Sequence, residues 1–116
     1  MEMINGKTVL GLVHEVKIFH PGSDSYKLFQ ARIDTGATKS SLDSKIVEDM
    51  KLGPVVASKV VRSAHGKKRR EIIMVDIELT GKRMTEAFTI AERGHMKYPL
   101  LIGQNILKYF LIDPSQ

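Results

Sequence analysis

Residues 71–79 constrain the fold of this chain more than any other stretch. Ile73, Val75, Ile77 and Leu79 recur at every second position, which is the side-chain period of a strand with one buried face. A helix carrying that pattern would scatter its apolar groups around its axis. Thr80-Gly81-Lys82 supplies turn chemistry, and residues 84–90 return with strand-like composition. Immediately upstream, Val55–Ser63 is rich in β-branched residues, and Ala64-His65-Gly66-Lys67 reads as a turn in which Gly66 can take positive φ. The stretch from 55 to 90 therefore predicts two consecutive hairpins.

The rest of the chain reads the same way. Residues 9–18 form one predicted strand, with Val9, Val13, Val16 and Ile18 in near alternation, and His20-Pro21-Gly22-Ser23-Asp24 is a dense turn cluster. Residues 26–34 alternate again, with Lys27, Phe29, Ala31 and Ile33 predicted to face the core. Helix signals are short: Ser44–Met50, with Asp43 or Ser44 as N-cap and Gly53 past the end, and residues 104–110, with Ile106, Leu107 and Phe110 at helical spacing. Many short strands with frequent turns predict an all-β barrel or sandwich. A length of 116 residues, 42% of them hydrophobic, suits one domain over 1–116 with one core.

Several chemistries are excluded or unsupported. With no cysteine, the chain can have neither a disulfide nor a thiol nucleophile, nor a Cys-based zinc site. The four histidines, His14, His20, His65 and His95, are scattered, so no metal site and no cofactor is expected. Gly6-Lys7-Thr8 mimics the end of a phosphate-binding loop, but the earlier glycine it needs falls at Met1. No Gly-x-Ser-x-Gly elbow is present. The apolar runs are far below the roughly 20 residues that span a bilayer. The N-terminus lacks a basic patch followed by an apolar core, so a soluble, cytoplasmic protein without a signal peptide is expected. The formal charge of +5 points to acidic partners or simply to a solvated Lys-rich surface.

The stretch that carries chemistry is Ala31-Arg32-Ile33-Asp34-Thr35-Gly36-Ala37-Thr38, where a predicted strand runs into Asp-Thr-Gly-Ala. A second piece follows near the C-terminus: Pro99-Leu100-Leu101-Ile102-Gly103-Gln104-Asn105-Ile106-Leu107, again a short apolar strand ending at a glycine before a helical segment. Taken alone, Asp34-Thr35-Gly36 is also an ordinary turn after a strand. Together, the two pieces and the hairpin between them resemble the retropepsin-like aspartic peptidases. Within that group the chain looks most like a prokaryotic subfamily catalogued under the name ATP-dependent zinc protease. The resemblance extends over nearly the whole chain, from Gly11 to Pro114. It implies a small closed barrel with a flap hairpin and one short C-terminal helix.

The resemblance also implies roles. Two carboxylates about 3 Å apart cannot both stay ionised, so they share a proton, one acting as base on water and the other as acid. The chain supplies one such group, Asp34, and a two-fold dimer would supply the second. Thr35 would bond across the dimer, while Gly36 and Ala37 keep the loop small. Ile102, Gly103 and Gln104 would form the second loop. The hairpin over 60–75 would be the flap, with His65, Gly66 and Lys67 at its tip. Alternation would aim about two of Lys67, Lys68, Arg69 and Arg70 at the cleft, favouring an acidic peptide. The same run also reads as a charged hairpin that blunts an exposed edge.

Two positions depart from many relatives, which carry an arginine at Gln104 and a charged residue at Thr38. A Gln104–Thr38 hydrogen bond is expected in place of that ion pair. Two other functional readings stand beside the peptidase. One is a catalytically silent peptide- or protein-binding module on the same barrel. The other, less favoured, is nucleic-acid binding through Lys67–Arg70, Lys82, Arg83 and Lys97, where few aromatics are available for stacking on bases.

Overall fold

The computed structural model describes residues 2–63 and 66–116. The chain runs β1 (Met3–Ile4), β2 (Lys7–Leu10), β3 (Val13–Phe19), β4 (Tyr26–Ile33), β5 (Ser40–Asp43), α1 (Ser44–Met50), β6 (Val55–Ser63), β7 (Gly66–Leu79), β8 (Lys82–Ala91), β9 (Leu100–Ile102), α2 (Gln104–Leu107) and β10 (Leu111–Ile112). The main sheet has the order β3-β4-β9-β5-β8-β7-β6, and β3 also pairs with β7. That extra pairing, Val16 to Leu79 through Ile18 to Ile77, closes six of the strands into a barrel and leaves β6 outside the ring. The all-β barrel expected from sequence is the observed fold, and β6 with the N-terminal part of β7 forms the projecting hairpin.

The alternation read from sequence fills the interior. Ile73, Val75, Ile77 and Leu79 of β7 are buried with Val16, Ile18, Ala31, Ile33, Leu42, Phe88, Leu100 and Ile102. Each of these side chains except that of Ala31 contributes about 1.5–3 kcal/mol relative to remaining exposed. The β7–β8 hairpin turns through Thr80 and Gly81, both at positive φ (52° and 82°), with Leu79 opposite Lys82. Two central residues at positive φ match the right-handed twist of the flanking strands. A second, small sheet joins β1, β2 and β10.

Three local expectations are corrected. The strand over 9–18 is two strands, β2 and β3, because the chain bends at Leu12, next to Gly11, where a Cβ would lie 2.5 Å from the Gln116 carbonyl oxygen. Lys27 is exposed rather than core-facing, since its charged end has no partner inside. Helix α1 keeps the expected bounds, Ser44–Met50 with Asp43 as N-cap, and the chain leaves it at Lys51 in the left-handed region (φ 54°), ahead of Gly53. Helix α2 stops at Leu107 instead of Phe110. Among the described residues, no helix is long and apolar enough to cross a membrane.

Candidate functional site

Strands β4 and β9 are parallel neighbours, with Ala31, Arg32 and Ile33 opposite Leu100, Leu101 and Ile102. Their C-terminal ends therefore leave the barrel at the same place. Asp34 follows β4 and Gly103 follows β9, so the two motifs that stand far apart in sequence become adjacent loops. The Asp34 N–H extends the ladder by donating to the Ile102 carbonyl at 2.9 Å.

The loop after Asp34 is held from within and from its neighbour. The Gly36 N–H donates to Asp34 Oδ1 at 2.9 Å, and the Ala37 N–H to the Asp34 carbonyl at 3.3 Å. The Gln104 N–H donates to the Ala37 carbonyl at 2.8 Å. The Gln104 side-chain amide donates to the Thr35 carbonyl at 2.8 Å. The expected Gln104–Thr38 bond does not form; the side-chain amide goes to the Thr35 carbonyl instead. Gly103 is required sterically: a Cβ there would overlap the Lys39 carbonyl and sit 2.8 Å from the Ala37 oxygen.

Beneath the loops lies a polar network that sequence reading missed. Ser40, fully buried, donates through its N–H and Oγ to Asn105 Oδ1 at 3.0 and 2.8 Å. Its Oγ also accepts the Gly103 N–H at 3.0 Å. Asn105 Nδ2 donates to the Ala87 carbonyl at 3.0 Å. Every group in this chain of bonds is satisfied, which rigidifies the junction of β5, β8 and α2. The only sequence signal was two serines and an asparagine flanking the motifs.

Two cavities flank the Asp34 loop. The first, about 520 Å³, is lined by Leu12, Arg32, Ile33, Asp34, Thr35, Arg93, Met96, Lys97, Tyr98 and Leu101. The second, about 510 Å³, is lined by Gly36, Ala37, Thr38, Lys39, Ser41, Lys59, Val60, Arg62, Arg70, Thr89 and Leu101. Asp34 is the sole carboxylate among these residues, against Arg32, Arg93 and Lys97 on one side and Lys39, Lys59, Arg62 and Arg70 on the other. Arg93, with 9% of its surface exposed, has its pKa lowered by burial and by the nearby Arg70 charge, opposed by Asp43 and Asp34.

The hairpin residues are placed unevenly. Val60, Lys59 and Arg62 of β6 and Arg70 of β7 border the second cavity, whereas Gly66 and Lys67 line neither. One cation of the 67–70 run, Arg70, thus faces the cleft cavities, fewer than alternation alone suggested. The other cleft-facing cations of the hairpin come from the opposite strand. His65 lies outside the described residues. Thr35 and Gly36 are exposed and Asp34 is half-buried. Among the described residues, no three His, Asp or Glu side chains converge as metal ligands.

The family model of RimB-like proteins, described as retropepsin-like aspartic endopeptidase RimB, matches residues 45–116. The chain belongs to the RimB-like family. The match begins downstream of Asp34 and includes the hairpin, the Gly103 loop and α2. Among solved structures, the protein Lpg0085 of unknown function from Legionella pneumophila is similar with a TM-score of 0.64 at 19% identity, over 94% of both chains. The protease of simian foamy virus (mac) is similar with a TM-score of 0.62 at 16% identity, over 84% of this chain and 92% of that one. At such identities the likeness concerns the fold. No curated protein matches the chain.

Proposed function

We propose that this RimB-like protein is a homodimeric aspartic endopeptidase, in which Asp34 of each subunit supplies one of two facing carboxylates. The observation that carries the reading is the setting of Asp34. It sits at the end of a barrel strand, on an exposed loop braced by the Gly103 loop, with one carboxylate oxygen held by the Gly36 N–H. Its other oxygen has no hydrogen-bond partner among the described residues and is available to water or to a second carboxylate. When two copies face each other, the carboxylates share one proton. The ionised member takes a proton from the attacking water while the other protonates the leaving amine, an assistance worth roughly 10²–10⁴ in rate.

Thr35 and Gly36 lie on the exposed face that such a dimer brings together, and Ala37 and Gln104 hold that loop in place. The β6–β7 hairpin, with Gly66 and Lys67 towards its outer end, serves as the flap. The predominance of cations around the cleft supports an extended acidic peptide or protein as substrate, in a cytoplasmic setting. The zinc implied by the subfamily name ATP-dependent zinc protease does not fit the donor set of the described residues, and no step uses it.

The second reading, a silent peptide-binding module, draws on one observation: the family match starts at residue 45 and leaves the Asp34 loop outside it. Digestion of a peptide library by the wild-type chain and by Asp34→Asn, with sedimentation of both, separates the two. The expected result is dimers in both cases, with cleavage abolished in the variant. Wild-type cleavage by Asp34→Asn would remove Asp34 from the mechanism. A monomer that binds peptides without cutting them would establish the binding module.

A further inference from the structure

The loop that presents Asp34 has to cross a strand end. Residues 34–39 join β4 to β5, and in the sheet β9 lies between those two strands. The loop therefore passes over the C-terminal end of β9, with Gly103 directly against the main chain of Ala37 and Lys39. Its start is fixed, since the Asp34 N–H donates to the Ile102 carbonyl at 2.9 Å. Its far end arrives at Ser40, where the ladder between β5 and β9 gives out. That ladder pairs Leu42 with Leu100 and Ser41 with Leu101, and Ser40 stands one residue beyond the last pair.

The side chain of Asn105 takes over where the strand stops. Its Oδ1 accepts the Ser40 N–H at 3.0 Å and the Ser40 hydroxyl at 2.8 Å. Having given its one proton to Asn105, the hydroxyl keeps lone pairs and accepts the Gly103 N–H at 3.0 Å. Asn105 Nδ2 donates to the Ala87 carbonyl at 3.0 Å, which fixes the amide with its oxygen towards Ser40. The Ser40 carbonyl accepts the Thr89 hydroxyl at 3.3 Å. Ser40 is fully buried, so each of these bonds is costly to leave unmade. The pattern is directional: it needs an acceptor at one end of the Asn105 side chain, a donor at the other, and a group at Ser40 that does both.

We infer that Ser40 and Asn105 are positioning residues for Asp34. They set where the loop ends. With the start of the loop fixed on Ile102, the end point decides the aim of the Asp34 carboxylate, whose Oδ1 is held from inside the loop by the Gly36 N–H at 2.9 Å. Ser40 and Asn105 line neither of the cavities beside the Asp34 loop, so they act through the loop and not on a bound chain. Their effect on cleavage rests on the peptidase reading, whereas their effect on the loop does not.

The Gly36 amide proton is the probe, because an N–H bonded to a carboxylate shifts as that carboxylate ionises. It is followed by NMR in a pH titration through the carboxylate range, in the wild-type chain, Ser40→Ala, Ser40→Thr and Asn105→Asp. The Ile77 amide serves as the control for barrel packing. Values of kcat and KM on a peptide are measured beside it, under conditions in which each protein is fully folded. Ser40→Ala should lose most of the Gly36 titration shift while Ile77 stays in place, and its kcat should fall about tenfold or more with KM little changed. Asn105→Asp, which keeps the acceptor and loses the donor to Ala87, should move both readouts in the same direction. Ser40→Thr, which keeps the hydroxyl, should recover both, and Ser40→Ala decides the matter if the extra methyl does not fit. A wild type that cuts no peptide, with Gly36 responding as expected, would leave the positioning role standing and remove the peptidase reading. A Ser40→Ala protein with a lower urea midpoint but wild-type Gly36 titration and kcat would overturn the positioning role and leave the peptidase reading intact.

Discussion

The side-chain amide of Gln104 donates to the main-chain carbonyl of Thr35 at 2.8 Å. The bond joins the first turn of α2 to the loop that presents Asp34, and it lies at the surface. The Gln104→Ala variant should lose no more than about 1 kcal/mol of stability, the net value of one solvent-accessible hydrogen bond. If the peptidase reading holds, its kcat/KM should fall on the order of tenfold, because catalysis is far more sensitive to loop placement than folding is. Urea unfolding alongside peptide cleavage makes the comparison, and an unchanged kcat/KM would mean that the bond does not position Asp34.

Two glycines with opposite surroundings make a paired prediction. At Gly103 an added Cβ would collide with the main chain of residues 37 and 39, whereas at Gly94 nothing lies within 4 Å. Gly103→Ala should therefore destabilise by about 1–3 kcal/mol or more, and Gly94→Ala should be neutral or slightly stabilising. Chemical denaturation of the two variants measures both. Equal midpoints would contradict the packing described for the Gly103 loop.

His14 gives the chain a pH dependence below neutrality. Its Nε2 accepts the Gly11 N–H at 2.8 Å, which only the neutral ring can do, and burial lowers its pKa from the ordinary 6.5. The folded state therefore binds the proton less readily than the unfolded chain. Stability from this group is fully present above 6.5 and declines as pH falls from there through the lowered folded value. His14→Gln, which can accept the same bond without titrating, should flatten that part of the stability profile measured by urea midpoints. A parallel profile in the variant would assign the dependence to other groups.

Much of the fold was legible because β7 buries Ile73, Val75, Ile77 and Leu79 at a strict period of two, and because Thr80-Gly81 is turn chemistry that few other conformations use. Asp34 and Gly103 were legible as a pair for a topological reason: parallel β4 and β9 bring two glycine-containing strand ends together. Strand β5 was not legible. Ser40-Ser41-Leu42-Asp43 has no apolar alternation, and its serines are buried only because Asn105 and Gly103 satisfy Ser40 and Arg93 contacts Ser41. Arg93 was likewise invisible, since nothing in the spacing of the 92–99 loop shows that its side chain turns inward to Ser41 and the Tyr98 carbonyl. The partner of Gln104 was misread by three residues because side-chain reach depends on loop path, which spacing does not reveal.

Strand β7 runs unbroken for 14 residues, its outer end paired with β6 and its inner end sealing the barrel against β3. The hairpin thus has no flexible joint at its base. Any swing over Asp34 must be taken up by elastic bending of a hydrogen-bonded ribbon, most readily where the register with β6 slips between Val55 and Ala57. On the reading of the hairpin as a flap, such a lid would spring back when released, because its inner end is fixed by the seam that pairs Ile77 and Leu79 with β3.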